Sequence, residues 1–341
     1  MSERRRLPRV ALGPGHEFDV IRRFLADLGE PPDSVEVGPG DDATVLEGGW
    51  VVSTDLSVEN VHFRRAWITD REAGGRATAA ALSDLAAMAA RPVGVLVSMA
   101  VQPLDDVDAD AVLAGVREAA GAVGASVLGG DVSASPGPLV LDVVVLGRTD
   151  APVLRTGAVP GDEVWVTGVL GASAAAVLLW VRGDEPPMTL RQAFACPVPR
   201  VEAARGLAEA GALHALVDLS DGLAGDAGHL AAAGGVRIVL EEQRIPVAEA
   251  ARAALGDEAA LETALRGGED YELCFVAPPG LVDASALGAR LGLPLTRVGR
   301  VEEGEGVWLQ GADGSVRPAG RGGFDHFGGD GPGGEAERAS R

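Results

Sequence analysis

A chain of 341 residues, 47% of them hydrophobic, is long enough for two domains of ordinary size with a substantial core. Its net charge of −21 argues against a nucleic-acid surface, which needs a basic patch, but not against nucleotides, because metal ions can bridge acidic side chains to phosphate. All 29 basic residues are arginine, which excludes phosphate-binding loops and protein-kinase strands that rely on a lysine.

The cysteine content and the hydropathy bear on the compartment. Cys196 and Cys274 are too few for a disulfide framework or a zinc site, and they fit a reducing cytoplasm. No apolar stretch follows the basic N-terminus, so we predict no signal peptide. The most apolar segment, 164–181, is interrupted by glycines, and we interpret it as a strand and a core helix rather than a membrane span.

Hydrophobic periodicity predicts alternating helices and strands in both halves of the chain. In the first half we expect helices at 16–28, 71–90 and 108–123, and strands at 35–37, 50–52, 93–102, 125–128 and 139–147. A polar, turn-rich segment at 148–161 predicts a domain boundary. In the second half we expect strands at 164–168, 215–217, 236–240 and 273–276, and helices at 172–181, 201–210, 223–233 and 248–265, with 182–197 mostly loop.

These elements divide the chain into a domain at 1–148, a second domain at 149–327 and a tail at 328–341. The tail is rich in Gly, Glu and Arg, a composition that predicts disorder. The alternation of strands and helices predicts an α/β (α+β) protein with two mixed-sheet domains.

Acidic residues recur where the predicted strands end. Asp55 follows the strand at 50–52, Asp131 follows a strand through two glycines, and Asp218 and Asp221 follow another. Asp42 is reached through a Gly/Pro turn. Turn preferences alone explain an aspartate there, and helix N-capping alone explains either Ser220 or Asp221.

Asp84 differs because it lies on the apolar face of the predicted helix at 71–90. A carboxylate on such a face needs a positive partner. Arg76 or Arg91 could supply it, and so could a metal ion; the sequence does not decide between them.

Taken together, so many carboxylates directed at one region would repel each other unless cations lie between them. Oxygen ligands without a Cys/His set favour Mg²⁺ over zinc or copper. Magnesium held by scattered carboxylates commonly also holds substrate phosphates. We therefore predict a Mg²⁺-dependent nucleotide enzyme, because bound cations would also explain the repeated strand-to-aspartate pattern.

Seven motifs in this order and near this spacing resemble those of thiamine-monophosphate kinases. They are VGPGDDA at 37–43, STDLSVENVHF at 53–63, LSDLAAM at 82–88, GGD at 129–131, LRTG at 154–157, DLSDG at 218–222 and GGEDYELCF at 267–275. The resemblance covers roughly residues 15–327. It implies the fold of the aminoimidazole ribonucleotide synthetase superfamily, with N-terminal sheets that pair in a homodimer, and the conversion of ATP and thiamine phosphate to ADP and thiamine diphosphate.

The resemblance also implies roles for individual residues. The implied magnesium ligands are Asp42, Ser53, Thr54, Asp55, Asp84, Asp131, Asp218 and Asp221, and among these Asp55, Asp131 and Asp221 are expected to be catalytic. The implied ATP contacts are Gly130, Asp131, Arg155 and Ser220, and the implied thiamine phosphate contacts are His62, Glu269 and Phe324. For Phe324, packing of a tail residue on the core is the alternative.

Two positions depart from the family pattern. The family more often has a glycine beside His62, where this chain has Asn60 and Val61. An aromatic residue that some members place by the nucleotide aligns near Ala114, so no role is assigned there.

The implied chemistry agrees with the residues. A phosphate acceptor is largely dianionic at neutral pH, since its second pKa is about 6. It needs no general base, so phosphoryl transfer rests on positioning and charge neutralisation. Phosphorylation of free thiamine would need a base, and the sequence offers no strong candidate.

Other members of the superfamily fit less well. Selenophosphate synthetases use a reactive cysteine or selenocysteine and a lysine near the N-terminus, and hydrogenase-maturation relatives end in a functional cysteine. This chain has neither feature. A non-catalytic Mg²⁺-nucleotide sensor is the alternative from another class, and the full set of carboxylates argues against it.

Overall fold

A computed structural model of the protein describes residues 10–11, 16–26, 29, 31–103, 106–211 and 213–320. Phe324 and the tail at 328–341 lie outside the described residues. The chain forms two domains, each a mixed sheet with helices, as the sequence predicts. None of the helices in the described ranges is both long and apolar enough to cross a membrane.

The N-terminal domain contains a six-stranded sheet in the order β1-β2-β3-β6-β4-β5. Only β4 and β5 pair in parallel; the other neighbours are antiparallel. The elements are α1 (His16–Ala26), β1 (Val35–Val37), β2 (Thr44–Leu46), β3 (Trp50–Val58), α2 (Asp70–Ala87), β4 (Arg91–Val101), α3 (Ala109–Ala122), β5 (Ser126–Ala134) and β6 (Val140–Arg148).

Two strands of this sheet are longer than predicted. Strand β3 continues through Asp55 to Val58, and β5 continues through Asp131 to Ala134, so neither aspartate follows a strand end. Inter-strand pairing explains the difference, because Asp55 is registered with Val143 and Asp131 with Ser98. A sheet covered on one face tolerates polar side chains on alternate positions, which a short apolar run does not reveal.

The C-terminal domain contains a seven-stranded sheet in the order β13-β12-β9-β11-β7-β10-β8. Its strands are β7 (Glu163–Thr167), β8 (Ala215–Asp218), β9 (Arg237–Glu241), β10 (Leu273–Ala277), β11 (Leu295–Glu302), β12 (Gly306–Gln310) and β13 (Val316–Pro318). Its helices are α4 (Ala172–Arg182), α5 (Met188–Ala195), α6 (Val201–Glu209), α7 (Leu223–Gly234), α8 (Glu249–Leu255), α9 (Asp257–Arg266) and α10 (Ala284–Leu291).

Helical predictions in this domain need four corrections. Helix α5 occupies Met188–Ala195 within the segment predicted mostly as loop, and α10 is not predicted. The segment predicted as one helix at 248–265 is two, because Gly256 adopts φ +83 between α8 and α9. The predicted N-cap of α7, Ser220 or Asp221, is wrong: Gly222 occupies that position and makes no side-chain cap bond. The acidic loop before α7 is therefore not needed for capping.

Helix α2 joins the two domains. Ala77, Ala81 and Leu85 belong to a core that also includes residues of the N-terminal sheet, while Ala86 packs in a second core with Leu207 of α6. Aromatic side chains add to the junction: Trp67 and Trp180 stack with ring centroids 5.0 Å apart, and Phe194 meets both edge-on. These contacts hold the acidic segments of the two domains together.

Candidate active site

Three carboxylates from three separate elements meet at the domain junction. Asp42 comes from the turn after β1, Asp84 from α2 and Asp218 from the end of β8. One oxygen atom of each lies within 4.8 Å of the others. The sequence predicts all three as metal ligands, and the fold brings them to one place.

Hydrogen bonding leaves part of this cluster unsatisfied. Ser53 Oγ donates to Asp84 Oδ2 at 2.6 Å and also lies 3.1 Å from the carbonyl oxygen of Asp42. Within the described part of the chain, the buried Oδ2 of Asp218 makes no hydrogen bond of ordinary geometry, although the Ser83 hydroxyl lies close enough to the Asp218 carboxyl to lower its pKa. Buried polar atoms without partners are rare in native proteins, and each needs a physical explanation.

The pKa values of the carboxyl groups in the cluster also favour a bound cation. Burial, followed by the nearby Asp42 carboxylate, raises the pKa of Asp218 to about 7. Burial together with the charges of Asp218 and Asp55 raises the pKa of Asp84 well above its ordinary value. Carboxylate oxygens that repel one another, one of them without a hydrogen-bond partner, are suited to bind a hard divalent cation such as Mg²⁺. No arginine is found as the ion-pair partner of Asp84 among the described residues, and Arg76 contacts Glu269 instead.

Arg155 is the cation that this cluster contacts directly. Its Nε and Nη2 donate to the two carboxylate oxygens of Asp42 at 3.0 and 2.6 Å, and its backbone N–H donates to Asp41 at 3.1 Å. Burial would lower the pKa of Arg155, but the charge of Asp42 raises it overall. Burial also raises the pKa of Asp41, to about 7. Arg155 thus offsets part of the negative charge between the domains.

A second group surrounds Asp221. Ligand atoms of Asp221, Asp226 and His229 lie within 4.8 Å of one another. The backbone N–H of Asp221 donates to Asp226 Oδ2 at 3.0 Å. Burial lowers the pKa of His229 to about 3, so the imidazole is neutral. Sequence reasoning missed Asp226 and His229, although their i, i+3 spacing on a predicted helix is a readable signal.

The segment at 267–272 lies against the loop that follows β8. The backbone N–H of Glu269 donates to the Ser220 carbonyl at 2.8 Å, and that of Tyr271 donates to Leu219 at 2.9 Å. Gly268 has φ +68, and a Cβ there would lie 2.3 Å from the Ser220 carbonyl oxygen. This contact needs a glycine, and it fixes Glu269 beside Ser220.

The three acids in that segment have different surroundings. Asp270 accepts the N–H of Gly171 at 2.8 Å at the start of α4. Glu272 accepts a bidentate pair from Arg200 at 2.6 and 2.8 Å. Glu269, the predicted substrate contact, is paired with Arg76.

His62 lies in the turn that follows β3, after Asn60 and Val61. Asn60 adopts φ +67, a left-handed conformation that asparagine tolerates better than most other residues. The turn brings His62 Nδ1 to 3.0 Å from the backbone nitrogen of Val58, which donates to it. In the neutral ring, Nε2 therefore carries the hydrogen.

Thr54, Gly130 and Asp131 are not brought into the acidic cluster. Thr54 Oγ1 donates to Asp142 at 2.6 Å. Gly130 and Asp131 line a cavity of about 340 Å³ between α3 and β5. From α3 come Leu113, Val116 and Arg117, which are close in sequence to Ala114.

Two family models match the chain. The AIR synthase related protein, N-terminal domain, matches residues 40–149, and the AIR synthase related protein, C-terminal domain, matches residues 159–311. A curated relative, the thiamine-monophosphate kinase of Mycobacterium tuberculosis, is 39% identical over 274 residues, which is 77% of this chain and 81% of that protein.

Solved structures give the same result. A thiamine-monophosphate kinase from Stenotrophomonas maltophilia K279a is 34% identical with a TM-score of 0.73, over 90% of this chain and 98% of that one. AaThiL complexed with AMPPCP and TMP is 30% identical with a TM-score of 0.77, over 92% of this chain and 97% of that one.

Proposed function

Because this chain belongs to the thiamine-monophosphate kinase family, we propose that it transfers the terminal phosphoryl group of ATP directly to thiamine phosphate, giving ADP and thiamine diphosphate. AMPPCP is an ATP analogue, and its presence with TMP in the AaThiL complex supports the same pair of substrates. The observation in this chain that carries the proposal is the cluster of Asp42, Asp84 and Asp218, with its unpartnered carboxylate oxygen.

The proposed magnesium site is held by that cluster. Bound Mg²⁺ would neutralise phosphate oxygens of both substrates, which is what transfer between two anions needs. Ser53 orients the Asp84 carboxylate by donating to one of its oxygens, and Arg155 orients Asp42. The other predicted ligands remain predictions: Thr54, Asp55, Asp131 and Asp221.

Binding of ATP is proposed to involve both domains. Arg155 contacts Asp42 of the acidic cluster and Ser220 lies two residues after Asp218, whereas Gly130 and Asp131 line the cavity next to α3. A Cβ at position 130 would lie 1.8 Å from the Val97 carbonyl oxygen, so only glycine fits against β4 there. On its α3 side the cavity is lined by the apolar Leu113 and Val116, which suit one face of a nucleotide base, and by Arg117.

The acceptor is proposed to bind beside His62 and Glu269. The Nε2–H of a neutral His62 can donate to the acceptor phosphate, and Glu269 can accept from a donor group on the thiamine rings. Since the acceptor phosphate is already anionic, neither residue needs to act as a general base. Phe324 remains a predicted ring contact outside the described residues.

We also propose that two copies of the chain pair through their N-terminal sheets. Every residue of β5 is exposed, and Leu56, Leu128 and Val132 have 52%, 53% and 61% of their surface accessible. Exposed apolar groups on one sheet mark an interaction surface. Sedimentation of the protein and of Val132→Glu tests this: a dimer that the substitution dissociates supports the pairing, and a monomeric parent protein refutes it.

The cytoplasm is the proposed location of this activity. Cys196 and Cys274 are free thiols, and Cys196 is exposed. An exposed free thiol fits a reducing compartment.

An acceptor panel tests the proposed activity. Purified protein with Mg²⁺ and ATP receives thiamine phosphate, thiamine or no acceptor, while ADP and thiamine diphosphate are followed by chromatography. We expect equal amounts of both products with thiamine phosphate and no thiamine diphosphate from thiamine. ADP release independent of any acceptor would contradict the proposal, and binding of ATP without turnover would favour a sensor.

A further inference from the structure

We propose that Arg76 is a positioning residue that holds the carboxylate of Glu269 in the orientation needed to bind thiamine phosphate. This inference rests on the function proposed above, because it assigns Glu269 to the acceptor pocket. It concerns a residue of α2 in the N-terminal domain that acts on a residue of the C-terminal domain.

The guanidinium of Arg76 is fixed on two sides by Phe194. Arg76 is 2% exposed, and its Nη1 donates to the Phe194 carbonyl at 2.6 Å. Its Cζ lies 4.0 Å from the centroid of the Phe194 ring. Phe194 is itself held edge-on by the tryptophan pair, Trp67 and Trp180. The Nη2 edge of the guanidinium contacts the carboxylate of Glu269.

Burial disfavours the charged form of Arg76 and lowers its pKa, so the guanidinium needs a negative partner close by. A buried cation needs carboxylate partners, and truncating one partner of such a pair leaves the other charge uncompensated. Glu269 and Arg76 therefore depend on each other for their place in the junction.

The backbone of Glu269 is fixed from the opposite side. Glu269 adopts φ +65, which is unusual for a residue with a side chain, and its N–H donates to Ser220. Strained conformations of this kind persist where the surrounding structure enforces them, and they cluster at ligand sites. The backbone of Glu269 is therefore bound to the Ser220 loop, and its carboxylate is in contact with Arg76.

The chemistry suits a ligand that donates hydrogen bonds. A carboxylate can accept about four hydrogen bonds, so contact with one guanidinium leaves room for a hydrogen-bond donor on the rings of thiamine phosphate. Asp270 and Glu272 of the same segment instead contact Gly171 and Arg200. In this segment Glu269 is therefore the acid that Arg76 can orient toward a substrate.

The test compares steady-state kinetics of Arg76→Met, Arg76→Lys, Glu269→Gln and the double variant Arg76→Met/Glu269→Gln with the parent protein. Arg191→Met is the matched control, because Arg191 makes a bidentate pair with Glu72 on the same helix α2 at 2.8 Å. We expect Arg76→Met to raise KM for thiamine phosphate about 10- to 100-fold, the range for loss of a charged hydrogen bond. KM for ATP should change less than about threefold, and Arg76→Lys should recover part of the loss.

Non-additivity separates positioning from general destabilisation. If Arg76 acts through Glu269, the double variant has the same KM for thiamine phosphate as Glu269→Gln alone. This comparison also serves if Arg76→Met folds poorly, because the double variant leaves no buried unpaired carboxylate. Equal rises in both KM values, or additive effects in the double variant, would overturn the inference while leaving the kinase function intact. A parent protein that makes no thiamine diphosphate would overturn the proposed function and this inference with it.

Discussion

Replacing Asp218 with asparagine should stabilise the protein when no divalent cation is present and remove most of the stabilisation that Mg²⁺ provides. Asp218 is 3% exposed, and its Oδ2 has no hydrogen-bond partner among the described residues. It faces Asp42 and Asp84 within 4.8 Å. An amide in its place can donate to either carboxylate and carries no charge, so the repulsion in the metal-free cluster falls.

The size of the effect follows from the pKa. Burial and Asp42 raise the pKa of Asp218 from 3.8 to about 7. The folded state therefore binds this proton more tightly than the unfolded chain, and stability falls as the pH rises from 3.8 to about 7. At about 1.4 kcal/mol per pKa unit, the loss above pH 7 is at most about 4 kcal/mol. With an unfolding entropy of about 2.1 cal/mol/K per residue, asparagine should raise Tm by on the order of 5 °C.

Thermal unfolding in chelator and in saturating Mg²⁺, both at about pH 8, measures the two effects. The metal-free variant should unfold at a higher temperature than the parent protein, and its Tm should rise less on addition of Mg²⁺. Asp184→Asn, an exposed acid in the loop after α4, is the control and should change neither value. A variant that is less stable without cations and keeps the full Mg²⁺ shift would refute the assignment of the cluster.

Three further perturbations test other parts of the account. Arg155→Met leaves the Asp42 carboxylate without its bidentate partner, so the free energy of unfolding in chelator should fall by about 3–5 kcal/mol. Mg²⁺ should then stabilise this variant more than it stabilises the parent protein. An equal stabilisation of both proteins by Mg²⁺ would contradict this. Burial raises the pKa of Asp270 from 3.8 to about 8, so its ionisation makes the folded state less stable as the pH rises from 3.8 to about 8. Asp270→Asn should therefore gain stability relative to the parent protein across that range in urea denaturation, and a pH-independent difference would argue against it. Phe194→Ala should lower the free energy of unfolding by about 3–5 kcal/mol and change the near-ultraviolet dichroism of the stacked tryptophans; a loss below about 1 kcal/mol would show that the aromatic junction is not a core.

Much of the fold is readable from periodicity because most elements bury one apolar face. The predicted helix at 71–90 is α2, and the predicted strand at 139–147 is β6. Strand ends were harder to predict, because pairing with neighbours extends β3 and β5 through polar residues that carry no strand signal of their own. Strands β2, β11, β12 and β13 are not predicted, for the related reason that cross-strand pairing sets them.

The site was partly readable for a different reason. Asp42, Asp84 and Asp218 stand out in sequence as acids beside apolar segments, and the fold brings them together. The partner of a buried charge cannot be predicted in this way, because it depends on which elements pack together. Arg76 is eight residues before Asp84 on the same helix, yet it contacts Glu269. Arg155 contacts Asp42, which is more than a hundred residues away in sequence. Long-range pairing of that kind is a property of the domain junction.

Isotope tracing is the most direct test of the central claim, that the γ-phosphoryl group of ATP is added to the phosphate of thiamine phosphate. The protein is given Mg²⁺, thiamine phosphate and ATP labelled at the γ-phosphorus, and the position of the label is read in the product. We expect one label per thiamine diphosphate, at the terminal phosphorus, and none when Mg²⁺ is replaced by chelator. Unlabelled thiamine diphosphate, or release of labelled inorganic phosphate in its place, would contradict the account.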